Sequence, residues 1–340
     1  MQDTIVNAGD VLTKEDFASD QEVRWCPGCG DYSILAQTKK VLPELGIPRE
    51  KIVFVSGIGC SSRFPYYVNS YGIHGIHGRA PAIASGIKLA NPDLKVFLVT
   101  GDGDGLSIGG NHLIHLCRRN IDLTVLLFNN QIYGLTKGQY SPTSERGKIT
   151  KSSPYGALEN PFNPIKMALA AGATFVARSI DREPKHLVEM IKQAAAHKGT
   201  SFIEIYQNCN IFNDGAFESL TNSKTKKDNV LFMEEGKPYV FGQNSDQVLD
   251  WNGSEFDLAA LNDKKTYIKH KPIEERSTIE FALAEMTYNS DLPTPVGVFK
   301  IKTMDSYDEL LTKQVSDVKD KLGKGDLNKL LYAGNTWEVK

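Results

Sequence analysis

Four stretches of the chain are almost continuously apolar, at residues 51–56, 96–100, 123–128 and 201–206. A strand exposed on one face alternates apolar and polar residues, whereas a parallel strand buried on both faces loses this alternation. Segments of helical character separate the four stretches, as the crossover connections of a parallel sheet require. The pattern therefore predicts an α/β fold, a parallel sheet with helices on both faces.

The spacing of apolar residues also predicts the helices between these strands. The clearest is an amphipathic run at residues 106–120, in which Ile108, Leu113, Ile114 and Leu116 form one apolar stripe. The first helix of the chain is expected to end at Pro43. The other predicted elements are helices at residues 32–42, 81–89, 164–171 and 184–197 and a strand at residues 174–178.

The pattern changes near residue 220. A basic, polar linker occupies residues 222–229, and residues 230–271 show little clear periodicity. We divide the chain into an N-terminal arm (1–24), a binding domain (25–219) and a C-terminal extension (220–340) that contacts a partner. A small separate domain is the alternative for the extension. The elements predicted within it are helices at residues 277–286 and 307–322 and a strand at residues 295–301.

The composition excludes several classes of function. The 340 residues include 39 Lys and Arg and 41 Asp and Glu, so the net charge of −2 provides no basic field for nucleic acid. No apolar run reaches the about 18 residues of a membrane-spanning helix, and the polar N-terminus has no signal-peptide core. Five cysteines, an odd number, argue against a secreted disulfide framework. A cytoplasmic protein without a membrane or nucleic-acid partner is expected.

A glycine-rich turn follows the second of the four strands. It reads Gly-Asp-Gly-Asp-Gly at residues 101–105, and Asn129 and Asn130 follow the next strand. Glycine lets backbone amides approach an anion, and a helix start adds its positive end. Asp102 and Asn130 each follow a strand of the parallel sheet, so we expect them to converge on one hard cation. Mg²⁺ takes such oxygen ligands together with phosphate and water, which predicts a magnesium diphosphate site.

Four of the five cysteines lie in predicted loops. Cys26 and Cys29 enclose Pro and Gly in a tight turn that points both sulfurs to one side. Such a turn is typical of redox pairs, zinc knuckles and iron–sulfur ligand sets; the redox pair is disfavoured because no strand precedes the turn. Cys60 and Cys209 each follow a strand, at the sheet edge where ligands bind. Cys117 lies on a predicted helix and is interpreted as a small buried hydrophobic residue.

Two histidines lie near the same edge, in the segment His74-Gly-Ile-His77-Gly-Arg79. His74 is interpreted as a loop residue without a ligand. His77 precedes a Gly-Arg pair and is the better candidate for contact with a diphosphate. The polar loop at residues 135–146, rich in Gly, Ser, Thr and Pro, is expected to close over a ligand.

Five motifs, in this order, resemble the β subunit of the 2-oxoacid:ferredoxin oxidoreductases. They are Cys-Pro-Gly-Cys-Gly at 26–30, Gly-Ile-Gly-Cys-Ser-Ser-Arg at 57–63, His-Gly-Arg at 77–79, Gly-Asp-Gly-Asp at 101–104 and Asn-Asn-Gln-Ile-Tyr-Gly-Leu-Thr-Lys-Gly at 129–138. The resemblance covers residues 25–214. It implies a subunit that carries one 4Fe-4S cluster and the diphosphate half of a thiamine diphosphate (TPP) site. The implied partners are an α subunit, in a dimer of αβ pairs, together with ferredoxin, coenzyme A and a 2-oxoacid.

Transferred position by position, the family pattern implies three sets of ligands. The Mg²⁺ ligands are Asp102, Asn130 and the backbone carbonyl of Ile132. The cluster ligands are Cys26, Cys29, Cys60 and Cys209, the same four cysteines that lie in loops. The TPP contacts are Ile58, Gly59, Cys60, Ser61, His77, Gly103, Asp104, Gly134 and Leu135.

The resemblance implies oxidative decarboxylation of a 2-oxoacid to an acyl-CoA, with electrons passed through the cluster to ferredoxin, or CO₂ fixation in the reverse direction. Arg63 follows Cys60 closely, so its guanidinium is expected to pair with the second carboxylate of 2-oxoglutarate. Relatives with Cys-Ser-Ser-Arg at this place resemble 2-oxoglutarate enzymes. Pyruvate or another 2-oxoacid is the alternative substrate, and an anchoring role in a surface loop is the alternative for Arg63.

Two other classes of protein are weighed against this hypothesis. A non-redox TPP decarboxylase or carboligase would leave the four loop cysteines without a role and would need a second TPP domain that does not fit in the chain. A zinc-stapled, non-catalytic adaptor would normally take its ligands from two local C-x-x-C-like pairs. Only one such pair is present, so a cluster held by three loops is favoured.

Overall fold

The fold is built around an eight-stranded, mainly parallel sheet. The structure is a computed structural model that describes residues 12–262, 264–273, 277–288 and 291–339. The strands in chain order are β1 (Ile52–Ser56), β2 (Tyr71–His74), β3 (Lys95–Gly101), β4 (Leu123–Asn129), β5 (Phe175–Ile180), β6 (Thr200–Tyr206), β7 (Val230–Phe232), β8 (Val240–Phe241), β9 (Gln247–Trp251), β10 (Phe256–Ala260) and β11 (Thr294–Ile301). The large sheet has the order β2-β1-β3-β4-β6-β5-β11-β7, and β8 to β10 form a small antiparallel sheet.

The central strands of the large sheet explain the apolar runs in the sequence. Every residue of β1, β4 and β6 is buried, as is every residue of β3 before Gly101. Gly101 pairs with Phe128 in the parallel register of β3 and β4. The residues that follow these two strands therefore leave the sheet at the same edge.

Helices cover both faces of the sheet, which confirms the predicted fold class. α1 and α6 pack together on one face, in a core that contains Leu42 and Ile191. α2, α4, α5 and α9 pack on the other face, in a core that contains Leu113 and Ile165. The helices are α1 (Asp31–Glu44), α2 (Ala80–Ala90), α3 (Asp102–Gly105), α4 (Gly110–Arg119), α5 (Pro164–Ala170), α6 (Pro184–Ala196), α7 (Glu218–Thr221), α8 (Lys226–Asn229), α9 (Ser277–Glu285), α10 (Tyr307–Leu322) and α11 (Leu327–Leu331).

Two strands of the C-terminal extension belong to the large sheet. β11 pairs antiparallel with β5, and β7 pairs parallel with β11. The sheet is thus parallel over six strands and has two strands of opposite direction at one edge, where the sequence pattern predicted a purely parallel sheet. The difference arises because the chain returns to this edge, after the small sheet and α9, in the direction opposite to β5.

Several local predictions are wrong in detail. Residues Asp102–Gly105 of the glycine-rich turn form the short helix α3, and the amphipathic helix begins only at Gly110, the second residue of a Gly-Gly pair. Its apolar stripe is narrower than predicted, because Ile108 and Ile114 are 51% and 40% exposed. α1 continues past Pro43 to Glu44. The sequence pattern does not predict β2, because the strand has only four residues, all of them exposed.

None of the helices in the described ranges combines the length and the apolar character needed to cross a membrane.

Candidate active site

Asp102 lies where β3 ends and α3 begins, and it is only 2% exposed. Its Oδ2 accepts hydrogen bonds from Ser141 Oγ at 2.5 Å and from Thr143 Oγ1 at 2.7 Å. Burial raises the pKa of Asp102 to about 6, and the two hydroxyl donors oppose this rise. The loop predicted to close over a ligand therefore contributes the two groups that orient this carboxyl group.

Asn130 follows β4 at the same edge of the sheet. Its Nδ2 donates to Gln207 Oε1 at 2.9 Å, and its Oδ1 accepts from the backbone N–H of Ile132 at 3.2 Å. Asn130, Ile132 and Asp102 line one cavity. The structure thus brings together the three groups predicted to bind Mg²⁺.

Asn129, the other half of the Asn pair, faces the opposite side of β4, because successive side chains of a strand alternate. Its Nδ2 donates to Glu204 Oε1 at 2.7 Å, and its Oδ1 lies 2.8 Å from Thr143 Oγ1, whose single hydroxyl proton it shares with Asp102. Glu204 Oε2 accepts in turn from Arg178 Nε at 2.7 Å, and both of these side chains are fully buried. A continuous chain of hydrogen bonds therefore runs from Asp102 to Arg178.

Arg178 connects this chain of hydrogen bonds to the C-terminal extension. Its Nη1 donates to the carbonyl oxygen of Pro295 at 3.0 Å, and its Nη2 donates to Thr287 Oγ1 at 2.9 Å. Its guanidinium also lies 5.1 Å from the ring centre of Tyr206 and 5.3 Å from that of Phe299. A buried charge is stable only when it is paired and hydrogen-bonded. Residues of the C-terminal extension therefore stabilise Arg178, and through it the hydrogen bonds that reach Asp102.

Asp104, on α3, holds three neighbouring segments together. Its Oδ1 accepts from the backbone N–H groups of Ile58 at 3.1 Å and Gly78 at 2.7 Å, and it lies 2.7 Å from His77 Nδ1. Its Oδ2 accepts from Thr100 Oγ1 at 2.7 Å. Both carboxyl oxygens of Asp104 are thus engaged by the protein itself, and the ring of His77 is oriented beside the cavity.

The cavity at this edge has a volume of about 550 Å³. Two glycines allow close packing around it. A Cβ on Gly57 would lie 2.0 Å from Asp104 Oδ2, and a Cβ on Gly103 would lie 2.3 Å from the Tyr133 ring. Every predicted TPP contact and every predicted Mg²⁺ ligand lines it: Ile58, Gly59, Cys60, Ser61, His77, Asp102, Gly103, Asp104, Asn130, Ile132, Gly134 and Leu135. The lining residues that were not predicted are Gly101, Phe128, Tyr133, Thr136 and Gln139.

Two of the four loop cysteines lie at this cavity, Cys60 in its lining and Cys209 against Gly134. A Cβ on Gly134 would lie 3.5 Å from Cys209 Sγ and 3.7 Å from Cys60 Sγ, so these two sulfurs face the same glycine. Cys26 and Cys29 share one turn, which is closed by a hydrogen bond of 3.0 Å from Cys29 N to the Cys26 carbonyl. The remaining cysteine, Cys117, is fully buried on α4, as predicted.

Hydrogen bonds between backbone and side chains tie the cysteine loops together. Trp25 Nε1 donates to the carbonyl oxygen of Cys60 at 2.7 Å. Asn210 Nδ2 donates to the carbonyl oxygen of Pro27 at 2.7 Å. The turn of Cys26 is thereby fixed to the loop of Cys60 on one side and to the loop that contains Cys209 on the other.

Burial makes ionisation of these thiols unfavourable. It raises the pKa of Cys60 to about 12, with further increases from the negative charges of Asp31 and Cys209. It also raises the pKa of Cys29. Asp31 is 1% exposed, and neither carboxyl oxygen has a hydrogen-bond partner among the residues that the structure describes. A set of thiolates at this place therefore needs a positively charged centre to offset it.

A second cavity, of about 370 Å³, shares Ile58, Gly59 and Leu135 with the first. Half-buried Arg63 lines it, and within the described ranges no partner in an ion pair or side-chain hydrogen bond is found for its guanidinium. His74, predicted to lie in a loop, is instead the last residue of β2 and lines the same cavity. Burial lowers the pKa of His74, and the charge of Arg63 lowers it further. The second cavity is therefore a positively charged neighbour of the first.

Sequence reasoning missed the groups that support the site from a distance. Ser141 and Thr143 lie in a loop that was predicted to close over a ligand, but nothing in the pattern indicated their contact with Asp102. Arg178 and Glu204 carried the better signal, because each is a single charged residue within a buried strand. Such a residue needs a partner of opposite charge, which is most readily found on the neighbouring strand.

Comparisons with known proteins agree with this geometry. A family model described as "Thiamine pyrophosphate enzyme, C-terminal TPP binding domain" matches residues 57–205. The 2-oxoglutarate oxidoreductase subunit KorB of Mycobacterium tuberculosis is 50% identical over 96% of this chain and 88% of that protein. Subunit beta of 2-oxoacid:ferredoxin oxidoreductase 1 of Aeropyrum pernix is 41% identical over 85% of this chain and 81% of that protein.

A solved structure is similar over nearly the whole length. It is a 2-oxoglutarate:ferredoxin oxidoreductase from Magnetococcus marinus with 2-oxoglutarate, coenzyme A and succinyl-CoA bound. The similarity has a TM-score of 0.75 and a sequence identity of 34%, and it covers 96% of this chain and 97% of that chain.

The fold and the cavity thus define a TPP-binding domain of the TPP enzymes. Identity over nearly the whole chain narrows the assignment. The chain belongs to the β subunits of the 2-oxoacid:ferredoxin oxidoreductases, the family that its five motifs resemble.

Proposed function

We propose that this subunit catalyses the CoA-dependent oxidative decarboxylation of 2-oxoglutarate to succinyl-CoA, with TPP, Mg²⁺ and a 4Fe-4S cluster as cofactors and ferredoxin as the electron acceptor. The observation that carries the proposal is that one cavity is lined by all the predicted TPP and Mg²⁺ contacts, with the sulfurs of Cys60 and Cys209 facing one of its glycines. The reverse reaction, fixation of CO₂ into an acyl-CoA, uses the same site.

The residues at the cation end fit Mg²⁺ and a diphosphate. Asp102, Asn130 and the carbonyl of Ile132 provide three oxygen ligands, and a buried carboxylate gains from a cation that offsets its charge. His77, held by Asp104, lies where it can contact the diphosphate. When bound, TPP supplies the electron sink for decarboxylation, and the cluster accepts electrons one at a time.

The cysteines fit a cluster better than a single ion. The chain has only one C-x-x-C pair, at Cys26 and Cys29, whereas a structural zinc site normally takes its ligands from two such pairs. The zinc-stapled adaptor is therefore disfavoured, and Cys26, Cys29, Cys60 and Cys209 are the proposed cluster ligands. We place this chemistry in the cytoplasm, where thiols remain reduced.

Arg63 is the proposed ligand of the distal carboxylate of 2-oxoglutarate. It lines the cavity next to the TPP cavity, and its guanidinium has no described protein partner that would compete for it. A carboxylate placed there gains a charge-assisted hydrogen bond, whereas the methyl group of pyruvate would leave the guanidinium unpaired. This contrast favours 2-oxoglutarate over pyruvate.

The proposed partners are an α subunit, ferredoxin and coenzyme A, in a dimer of αβ pairs. Relatives of this chain are named as β subunits, which implies an α subunit. The C-terminal extension is the proposed contact region, because α10 and α11 present apolar side chains to solvent, such as Val318, Leu322 and Leu330. An apolar helix face of this kind is stabilised when a partner covers it.

The experiment that tests the substrate is the Arg63→Ala variant in the complex co-expressed with its α subunit. We expect KM for 2-oxoglutarate to rise at least about tenfold, because a charge-assisted hydrogen bond is lost, while KM for the monocarboxylate 2-oxobutyrate stays nearly constant. Arg119→Ala, on the exposed end of α4, is the matched control. Equal effects of Arg63→Ala on the two substrates would remove the assignment.

The cofactors are tested separately. The anaerobically purified complex should be brown and should reduce a low-potential dye only when 2-oxoglutarate and coenzyme A are both present. A colourless protein, or a complex without CoA-dependent dye reduction, would contradict the proposed function.

A further inference from the structure

One buried side chain contacts both ends of the proposed site. Gln207 directly follows β6 and is 1% exposed. Its Nε2 donates to Cys29 Sγ at 3.3 Å and to the carbonyl oxygen of Asn208 at 2.6 Å. Its Oε1 accepts from Asn130 Nδ2 at 2.9 Å. The amide therefore bridges a proposed cluster ligand and a proposed Mg²⁺ ligand.

The orientation of this amide is determined by its neighbours. A flipped amide would place Oε1 against the Asn208 carbonyl and Cys29 Sγ, which are acceptors, and the NH₂ group against Asn130 Nδ2, which is a donor. Asn130 is itself oriented by the backbone N–H of Ile132. Backbone groups at both ends of the bridge thus select one arrangement of its hydrogen bonds.

The side chain is not needed to continue the sheet. The backbone N–H of Gln207 already donates to the carbonyl oxygen of Asn129 at 2.9 Å, which extends the pairing of β6 and β4. The side chain instead satisfies polar groups on two different loops. Its burial places these hydrogen bonds in a medium of low dielectric constant, where neighbouring hydrogen bonds polarise one another.

The bridge has a consequence for each end. An N–H group that donates to a cluster sulfur stabilises the reduced, more negative cluster and so raises its reduction potential. A cation on Asn130 Oδ1 makes its N–H a stronger donor to Gln207 Oε1, which in turn makes the Gln207 N–H a stronger donor to Cys29. The two effects act in the same direction along one side chain.

We propose that Gln207 is a positioning residue that couples the cation site to the cluster, so that binding of Mg²⁺ and TPP raises the reduction potential of the cluster. The inference rests on the proposed function, which supplies the two cofactors. By linkage, reduction of the cluster then tightens the binding of Mg²⁺ and TPP to the same extent.

The test uses the complex co-expressed with its α subunit and purified without oxygen. The reduction potential is measured by redox titration with electron paramagnetic resonance, with and without Mg²⁺ and TPP. The paramagnetic resonance signal that disappears in the Cys209→Ala variant is assigned to this cluster. Calorimetry gives the affinity for TPP in the presence of Mg²⁺, and thermal unfolding shows whether each variant is folded.

Two variants separate the two arms of the bridge. Gln207→Met fills a similar volume and makes neither hydrogen bond. Gln207→Glu retains an acceptor for Asn130 but has no N–H for Cys29. Gln37→Met is the matched control, because Gln37 is a 7% exposed glutamine on α1 whose side chain, among the described residues, accepts a hydrogen bond only from Lys40.

In the wild type, addition of Mg²⁺ and TPP should raise the potential. In Gln207→Met, the reduction equilibrium should fall up to about tenfold, equivalent to about 59 mV, and should no longer respond to Mg²⁺ and TPP. Its affinity for TPP should fall about tenfold, as for other residues that orient a metal ligand. Gln207→Glu should lower the potential and abolish the response, but should keep an affinity within about twofold of the wild type.

Three results would overturn the inference. The first is a folded Gln207→Met complex with the wild-type potential and the wild-type response. The second is a wild type whose potential does not respond to Mg²⁺ and TPP. The third, should Gln207→Met not fold, is a Gln207→Glu complex that retains the wild-type response. A wild type without any cluster signal would contradict the proposed function itself, and a Gln37→Met complex should match the wild type.

Discussion

The cation end and the cysteine end of this site are held in different ways. At the cation end, hydrogen bonds within the protein orient Asp102, and a buried ion pair supports them from the next strands. At the cysteine end, a few bonds tie the loops together, Cys26 is exposed, and burial raises the pKa of Cys60 to about 12. The cation end is therefore formed by the fold, whereas the cysteine end needs the positive charge of the proposed cluster. Loss of a ligand at one end should therefore leave the other end able to bind its own cofactor, although Gln207 couples the two ends energetically.

The largest expected effect is at the cysteine end. Cys209→Ala removes one of the four proposed ligands, so we expect complete loss of the cluster absorbance and of dye reduction. Affinity for TPP with Mg²⁺ should stay within about twofold, because the cation end is formed independently. Cys117→Ala, at a buried cysteine outside the site, should keep both properties. If the absorbance persists in Cys209→Ala, Cys209 is not a cluster ligand and the described contrast between the two ends is wrong.

The support of the cation end should appear as stability. Glu204→Gln leaves Arg178 as a buried charge without a counter-ion, and we expect the free energy of unfolding to fall by about 3–5 kcal/mol. Denaturant unfolding of the chain measures this change. Glu309→Gln is the matched control, since its ion pair with Lys198 lies at the surface and should contribute little. A similar loss of unfolding free energy in both variants would show that the buried ion pair stabilises the fold no more than the surface pair does.

Asp102→Asn should weaken Mg²⁺ binding at least about 100-fold, since it removes a charged ligand of a hard cation. Calorimetry with Mg²⁺ in the presence of TPP measures the loss. Asp93→Asn is the matched control, because Asp93 is an exposed residue that forms an ion pair with Lys51. This variant should bind Mg²⁺ as tightly as the wild type. The cysteine end should keep its cluster absorbance in Asp102→Asn; loss of that absorbance would contradict the independence of the two ends.

The same carboxyl group predicts a dependence of Mg²⁺ binding on pH. Burial raises the pKa of Asp102 to about 6, so below that pH the protein without metal holds a proton on this proposed Mg²⁺ ligand. Wild-type affinity should therefore fall by up to about tenfold per pH unit below pH 6 and should level off above it. Asp102→Asn, which has no proton to lose, should show no such slope. A flat profile in the wild type would show that Asp102 is not a ligand.

The smallest expected effect concerns the hydroxyl that orients Asp102. Thr143→Val retains the shape of the side chain but removes the donor, and we expect about tenfold weaker binding of TPP with Mg²⁺ and intact cluster absorbance. Thr124→Val is the matched control, because Thr124 is fully buried on β4 and its hydroxyl donates a long hydrogen bond of 3.4 Å to the Ala194 carbonyl. If both variants bind alike, the hydroxyl of Thr143 has no orienting role.

Much of the central fold follows from local patterns. The apolar runs predicted β1, β3, β4 and β6, because strands buried on both faces need no polar residues. The small sheet and β2 were not predicted. All four residues of β2 are exposed, and the strands β8 to β10 are short, so neither leaves a periodic signal.

In the candidate site, too, some residues were predictable from the sequence and others were not. Motifs such as Gly-Asp-Gly and Asn-Asn identified the lining of the cavity, since a ligand contact at the end of a strand constrains the residue type at that position. Asn129, Gln207 and Arg178 could not be placed in this way. Their partners lie far along the chain, as for Asn129 and Glu204, which are 75 positions apart.

Residue types at strand ends, glycines at close approaches and cysteine spacing were therefore sufficient to indicate a metal diphosphate site and a cluster in one subunit. Long-range packing alone decided that Asn129 supports the site rather than lining it, that the C-terminal extension reaches Arg178, and that Gln207 spans both ends. The physical reason is that a hydrogen bond depends on distance and direction in space, and the chain brings these partners within reach only after β4, β5, β6 and β11 have assembled into one sheet.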